Sequence, residues 1–174
     1  YLNQALITVI QHNDIFNIRC RTIEGIPVMV KKNNLIESID IQNHAPDEAW
    51  IRRSNQHIFN LVEQPLFFFR LFSTDNKVLL YFHIHHIVFD GSSLKQFMCE
   101  LDYYYQQISS NSPIKPFNKP FDYLDITFSQ ESWQNNQAIQ QQKQYWKKQL
   151  QSVDPILKVP TDFERPTLQS FNGE

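Results

Sequence analysis

At 174 residues the chain is long enough to bury a core of its own, and its length points to one domain. A hydrophobic share of 41% against 20% charged residues excludes a disordered segment, and a net charge of −2 gives no electrostatic reason to expect nucleic acid or an anionic membrane as partner. No apolar run reaches membrane-spanning length, Cys20 and Cys99 are too few for a disulfide framework and lack metal-type spacing, and a cytoplasmic protein is the simplest expectation.

Leu2, Ala5, Leu6, Val9 and Ile10 form one apolar stripe, so residues 1–13 read as a helix ended by Asn13-Asp14. Ile15 to Ile23 is β-rich, Glu24-Gly25 is a turn, and Pro27 to Val30 resumes as a strand, which predicts a hairpin. Leu35 to Ile41 alternates with period two, the pattern of a half-buried strand. Pro46-Asp47-Glu48 starts a helix that runs to about Asn60. Pro65 to Phe72 and Lys77 to Ile84 are nearly continuous apolar runs joined by a tight turn at Thr74-Asp-Asn76, and continuous apolarity means strands covered on both faces. Arg70, inside the first run, needs a carboxylate partner. Residues 109–120, with three prolines, are a loop, and 121–130 are ambiguous. Residues 133–150 are Gln-rich and helical, with Tyr145, Trp146 and Leu150 on one side, and Tyr145 and Trp146 read as core anchors; residues 153–174 are extended. The chain opens on Tyr1 rather than Met, and Ser170 to Glu174 lead toward further structure, as in a piece of a longer protein.

The centre of the chain is Tyr81-Phe-His-Ile-His-His-Ile-Val-Phe-Asp-Gly-Ser-Ser93. A strand runs into paired histidines, a short turn follows, and Leu94, Phe97, Met98, Leu101 and Tyr104 then recur at helical spacing, with Ser93 and Gln96 reading as a capping box. Such a junction sets polar side chains beside the positive end of a helix dipole.

His-His-x-x-x-Asp-Gly resembles the signature of condensation domains of nonribosomal peptide synthetases, a superfamily that includes chloramphenicol acetyltransferase. Further segments follow in family order: Asn13 to Arg19, Glu24-Gly-Ile-Pro27, Pro65 to Phe72, Phe121 to Asp125, Tyr145-Trp-Lys-Lys-Gln-Leu150, and Val159-Pro-Thr-Asp162 with Arg165-Pro166. The resemblance implies an α/β fold, a chloramphenicol acetyltransferase-like two-layer sandwich lobe with helices packed on a mixed sheet. It implies that residues 1–174 are the N-terminal lobe of a condensation domain, whose C-terminal lobe lies beyond them.

The same resemblance implies amide bond formation between acyl and aminoacyl groups carried as thioesters. An α-amine with a pKa of about 8 is partly nucleophilic near neutrality, and an imidazole suits the removal of its proton as the tetrahedral intermediate forms. His86 takes this role, as base or as a group that positions the amine. The bland alternative is a satisfied structural histidine. His85, on the opposite face with His83 and Tyr81, reads as structural. Asp90 either caps the following helix or, as in the family, braces the His86 loop through a buried ion pair. The family's Arg partner is Asn17 here, leaving Arg19 or Arg70 to supply a cation. Gly91 supplies a positive φ, admits substrate to the backbone or turns an amide toward an oxyanion; the plain reading is a turn glycine. Ser92 and Ser93 lack a nucleophile elbow, and helix capping explains them.

No cofactor or metal is expected in the lobe; phosphopantetheine belongs to carrier-protein partners, which join the C-terminal lobe and an adenylation domain in the parent chain. Epimerisation domains and carrier-dependent ester-forming acyltransferases share the signature and are the alternative within the superfamily. A metal site at His83, His85, His86 and Asp90 and a non-catalytic interaction module are the readings outside it.

Overall fold

The computed structural model describes residues 1–32, 36–75, 77–119, 121–134, 136–154, 156, 159–164 and 166–168. The expectations at Leu35, Asn76, Arg165 and Ser170 to Glu174 lie outside the described residues. The chain forms two compact units, Tyr1–Ser129 and Gln130–Glu174.

In the first unit, α1 (Leu2–His12) is followed by a 3-10 turn over Asp14–Asn17, where the sequence pattern suggests the strand begins. That strand, β1, spans Ile18–Ile23 and pairs antiparallel with β2 (Ile26–Lys31). Glu24 and Gly25 both have positive φ, 50° and 82°, as a two-residue turn between right-twisted strands requires. The next strand is shorter than its alternation predicts: β3 covers only Asp40–Gln42, and described residues 36–39 have no regular structure.

α2 (Glu48–Asn55), capped by the Asp47 carboxylate on the Trp50 N–H, leads to β4 (Phe67–Thr74). β3 and β4 are parallel, β4 and β5 (Lys77–Ile84) antiparallel, and the strand order β3-β4-β5 makes a mixed sheet. α2 ends near Asn55, short of the predicted Asn60, because residues 57–60 leave the helix; His57 and Phe59 pack on the sheet instead.

β4 is covered on both faces, as continuous apolarity implies, whereas β5 is only half-buried and its first two residues are exposed, so the expectation of full cover does not hold for it. Phe67, Phe69 and Leu71 enter the core with Leu6, Val9 and Ile10 of α1 and with Phe97, Leu101 and Tyr104 of α3 (Gly91–Ser109). The opposite face carries Phe68, Tyr81 and His83, ringed by Trp50, His57 and Phe59. Arg70 lies in that face with the predicted partner: Nη2 meets Asp40 Oδ2 at 2.8 Å, and the guanidinium sits 5.6 Å from the Trp50 ring centroid.

After a loop, α4 (Tyr123–Gln134) occupies the stretch whose sequence is ambiguous. In the second unit, α5 (Gln137–Gln149) starts where Asn136 accepts the Ala138 N–H. None of its residues is buried, and Tyr145 and Trp146 are more than half exposed, so they are not the core anchors expected. The apolar side of this helix has no buried partner among the described residues. No helix of the described residues is long and apolar enough to cross a membrane.

Candidate active site

β5 ends at Ile84, and the ladder to β4 extends one bond further, from the His85 N–H to the Leu66 carbonyl at 2.8 Å. The chain then turns: the Val88 N–H donates to the His85 carbonyl at 3.1 Å, placing His86 and Ile87 at the corner. His86 is therefore oriented by a turn rather than by strand alternation. It is exposed, and its ring makes no hydrogen bond among the described residues.

His85 turns inward from the corner. Its Nδ1 accepts the Ile87 N–H at 3.0 Å, which requires that nitrogen to be unprotonated, and its ring stands 5.9 Å from Phe59. His83 bonds the Ser54 carbonyl through Nδ1 at 2.9 Å. Among the described residues no group of three or more His, Cys, Asp or Glu side chains is arranged to hold a metal ion.

Asp90 is the N-cap of α3, three residues before the cap predicted at Ser93. Asp90 Oδ1 accepts from the Ser93 N–H at 2.8 Å and from Ser93 Oγ at 2.7 Å, while the Asp90 N–H donates to Ser93 Oγ at 3.2 Å. This reciprocal pair is a capping box with Ser93 in the third helical position. The carboxylate is exposed, not buried. The Ser93 N–H and hydroxyl bonds hold its pKa below the usual carboxylate value, and the His86 imidazole adds a smaller electrostatic pull in the same direction.

Among the described residues the expected buried ion pair of Asp90 is not formed, because the proposed cations are engaged elsewhere. Arg70 is engaged with Asp40, and Arg19 is buried in β1 with Nη1 on the Ile18 carbonyl at 2.7 Å, where desolvation lowers its pKa. Asn17 is buried at the end of the 3-10 turn, its carbonyl accepting the Lys32 N–H. Gly91 is the first residue of α3 and does not have positive φ, which corrects that expectation; a Cβ there would meet nothing within 4 Å.

His86 and Asp90 border an open groove of about 480 Å³ in the first unit. Phe16, Phe97 and Ile126 supply apolar wall, and Gln96 and Glu100 continue the α3 side. Glu100 is a site residue that sequence reasoning missed. It is buried, and Asn13 Nδ2 donates to its Oε1 at 2.9 Å. The available signal was its place beside Leu101 and one turn from Phe97 on an amphipathic helix. A second groove of about 530 Å³, between α1, α3 and the sheet, is lined mainly by apolar residues such as Leu71, Val78 and Met98 and holds none of the signature residues.

Comparison with known proteins places this geometry. A linear gramicidin synthase of Brevibacillus parabrevis is 28% identical over 182 residues, covering 99% of the chain and 4% of that protein. Gramicidin S synthase 2 of Aneurinibacillus migulanus is 33% identical over 178 residues, again 99% of the chain and 4% of the relative. The chain therefore spans a small part of the length of these relatives. Among solved structures, the epimerization domain from the third module of tyrocidine synthetase B superposes with a TM-score of 0.74 at 23% identity, covering 92% of this chain and 38% of that one. VibH, a condensation enzyme, gives a TM-score of 0.69 at 22% identity over 88% of this chain and 37% of that one. These likenesses show the fold, with its mixed sheet and packed helices. The Condensation domain family model matches residues 1–174 throughout, with the paired histidines, the turn and the capped helix inside the match, and the chain belongs to the condensation-domain family.

Proposed function

We propose that this chain is the lobe of a condensation domain that supplies His86 to amide bond formation between acyl and aminoacyl groups carried as phosphopantetheine thioesters. The supporting observation is the placement of His86: exposed at a turn, free of hydrogen bonds among the described residues, and bordering a groove beside the N-terminus of α3.

The acceptor nitrogen attacks the donor carbonyl carbon, and a C–N bond forms as the carbonyl π electrons move to oxygen. The imidazole takes the proton lost by the nitrogen. Collapse of the intermediate breaks the C–S bond, and the proton passes to the departing thiolate. His85 holds the turn through its bond to the Ile87 N–H, and Asp90 fixes the start of α3, so the imidazole is presented at one place. Gly91 leaves the backbone open at the same point. Asn17, without charge, is a buried supporting residue.

The thioester arms are substrate, brought by carrier proteins. The remaining partners in this reading are a C-terminal lobe that completes the cleft, with residues 1–174 as the N-terminal lobe, and an adenylation domain in the same cytoplasmic synthetase. In the complete enzyme, His86→Ala is expected to lower product formation about 100-fold or more, the scale of a lost general base. Unchanged product formation would remove His86 from catalysis. Supplying amine and alcohol acceptors in parallel separates amide from ester formation, and loss of chirality at the donor α-carbon without condensation would mark an epimerase.

A further inference from the structure

Glu100 lies two helical turns, about 10 Å, beyond Ser93 along α3. It lines the same groove as His86, with Gln96 between. Only 2% of the residue is accessible, yet it is part of the groove wall. Oε1 accepts from Asn13 Nδ2 at 2.9 Å; Oε2 accepts no hydrogen bond from any described residue. A carboxylate so placed has lost most of its hydration and regained one neutral hydrogen bond.

Burial accordingly pushes its pKa up, against smaller opposing effects from Asn13, Lys119 and His12; Asp122 acts with burial. Lys119 does not fill the gap. Its Nζ is held by the His12 carbonyl at 2.5 Å, Asn13 Oδ1 at 3.2 Å and Asp122 Oδ1 at 2.5 Å. A hydrogen-bond donor entering the groove with a positive charge would satisfy the open oxygen and complete the compensation that Lys119 gives only in part.

We infer that Glu100, with Gln96 beside it, forms a subsite for a primary ammonium group at the far end of the substrate bound next to His86. The separation from the Asp90 end, where His86 stands, places this group away from the reacting amine: it belongs to a side chain or a remote terminus. The inference rests on the groove being the substrate site, and it adds a selectivity to that reading.

The test uses the full-length protein and two isosteric probes, the pantetheine amides of 5-aminopentanoate and of hexanoate, titrated by calorimetry. Wild type is expected to bind the ammonium probe about tenfold more tightly, the scale of one charge-assisted hydrogen bond. Glu100→Gln should erase that preference and leave hexanoyl affinity within about twofold. Equal binding by wild type, or a preference that survives Glu100→Gln, overturns the subsite. Should Glu100→Gln fail to fold by circular dichroism, the preference is followed with pH in a His12→Gln background. It must fall as the carboxylate gains its proton; a preference independent of pH overturns the inference. His86→Ala should leave the preference intact. An enzyme so altered that still turns over defeats the catalytic role of His86 without touching this result.

Discussion

The two histidines at the end of β5 differ because the strand stops between them and the last core position. His85 has its Nδ1 committed to the Ile87 N–H, whereas His86 stands at the corner with its ring open to the groove. Asp90 is tied to the chemistry only by holding the next helix. A cap and a buried ion-pair partner respond differently to the same pair of substitutions. Asparagine keeps a side-chain acceptor for the Ser93 N–H but not the charge, so Asp90→Asn should lower the melting temperature less than Asp90→Ala does. Equal loss in both would restore the ion-pair reading. The pH dependence has a definite sign. Because the folded carboxylate titrates below its usual range, its contribution to stability is present above about pH 4 and lost as pH falls through the lowered folded value. Asp90→Ala should remove that part of the acid-side decline in a denaturation series.

At the level of elements, β3 is only three residues long, and its attachment to β4 is reinforced by side chains. Arg70 bonds Asp40 across the parallel pair and lies against Trp50 of α2, so one guanidinium joins two strands and the helix that connects them. Arg70→Met keeps the aliphatic stem but drops both interactions. A loss of about 1 kcal/mol in denaturant unfolding is expected, the upper range for a partly exposed pair with a cation–π contact. No measurable loss would mean that backbone pairing alone holds β3. The need of Arg70 for a carboxylate was legible because a charge inside an apolar run is costly. β5 and the hairpin turn were legible too, one from unbroken apolarity and the other from glycine beside an acid between two β-rich runs. The start of α3 was not. Asp90 and Ser93 are both good caps, and only their reciprocal hydrogen bonds decide between them. Glu100 was missed for a different reason: its place beside Leu101 was a weak signal against a charge that local pattern records as solvent-facing, and its partner Asn13 lies 87 residues away. The aromatic pair of α5 failed in the opposite sense, since apolar side chains at helical spacing do not reveal whether anything covers them.

Across the whole molecule, the first unit holds the core, the sheet and the groove, while the helix of the second has no buried residue. The chain spans 38% of the length of the solved tyrocidine synthetase epimerization domain it resembles. Among the described residues, the strand that delivers His86 has a neighbour on one side only, since β5 ends the order β3-β4-β5. Its outer rim offers a row of amide and carbonyl groups to any extended segment, and the strand carries one charged side chain of fixed sign, Lys77. Bare rims of this kind recruit copies of themselves. The isolated chain should therefore self-associate as its concentration rises, and Val78→Lys, at a position about half exposed, should suppress the light scattering without unfolding the sheet. Whatever segment docks along that rim in a longer protein would also stiffen the ribbon on which the imidazole is mounted, so assembly and catalytic readiness would be set at the same seam.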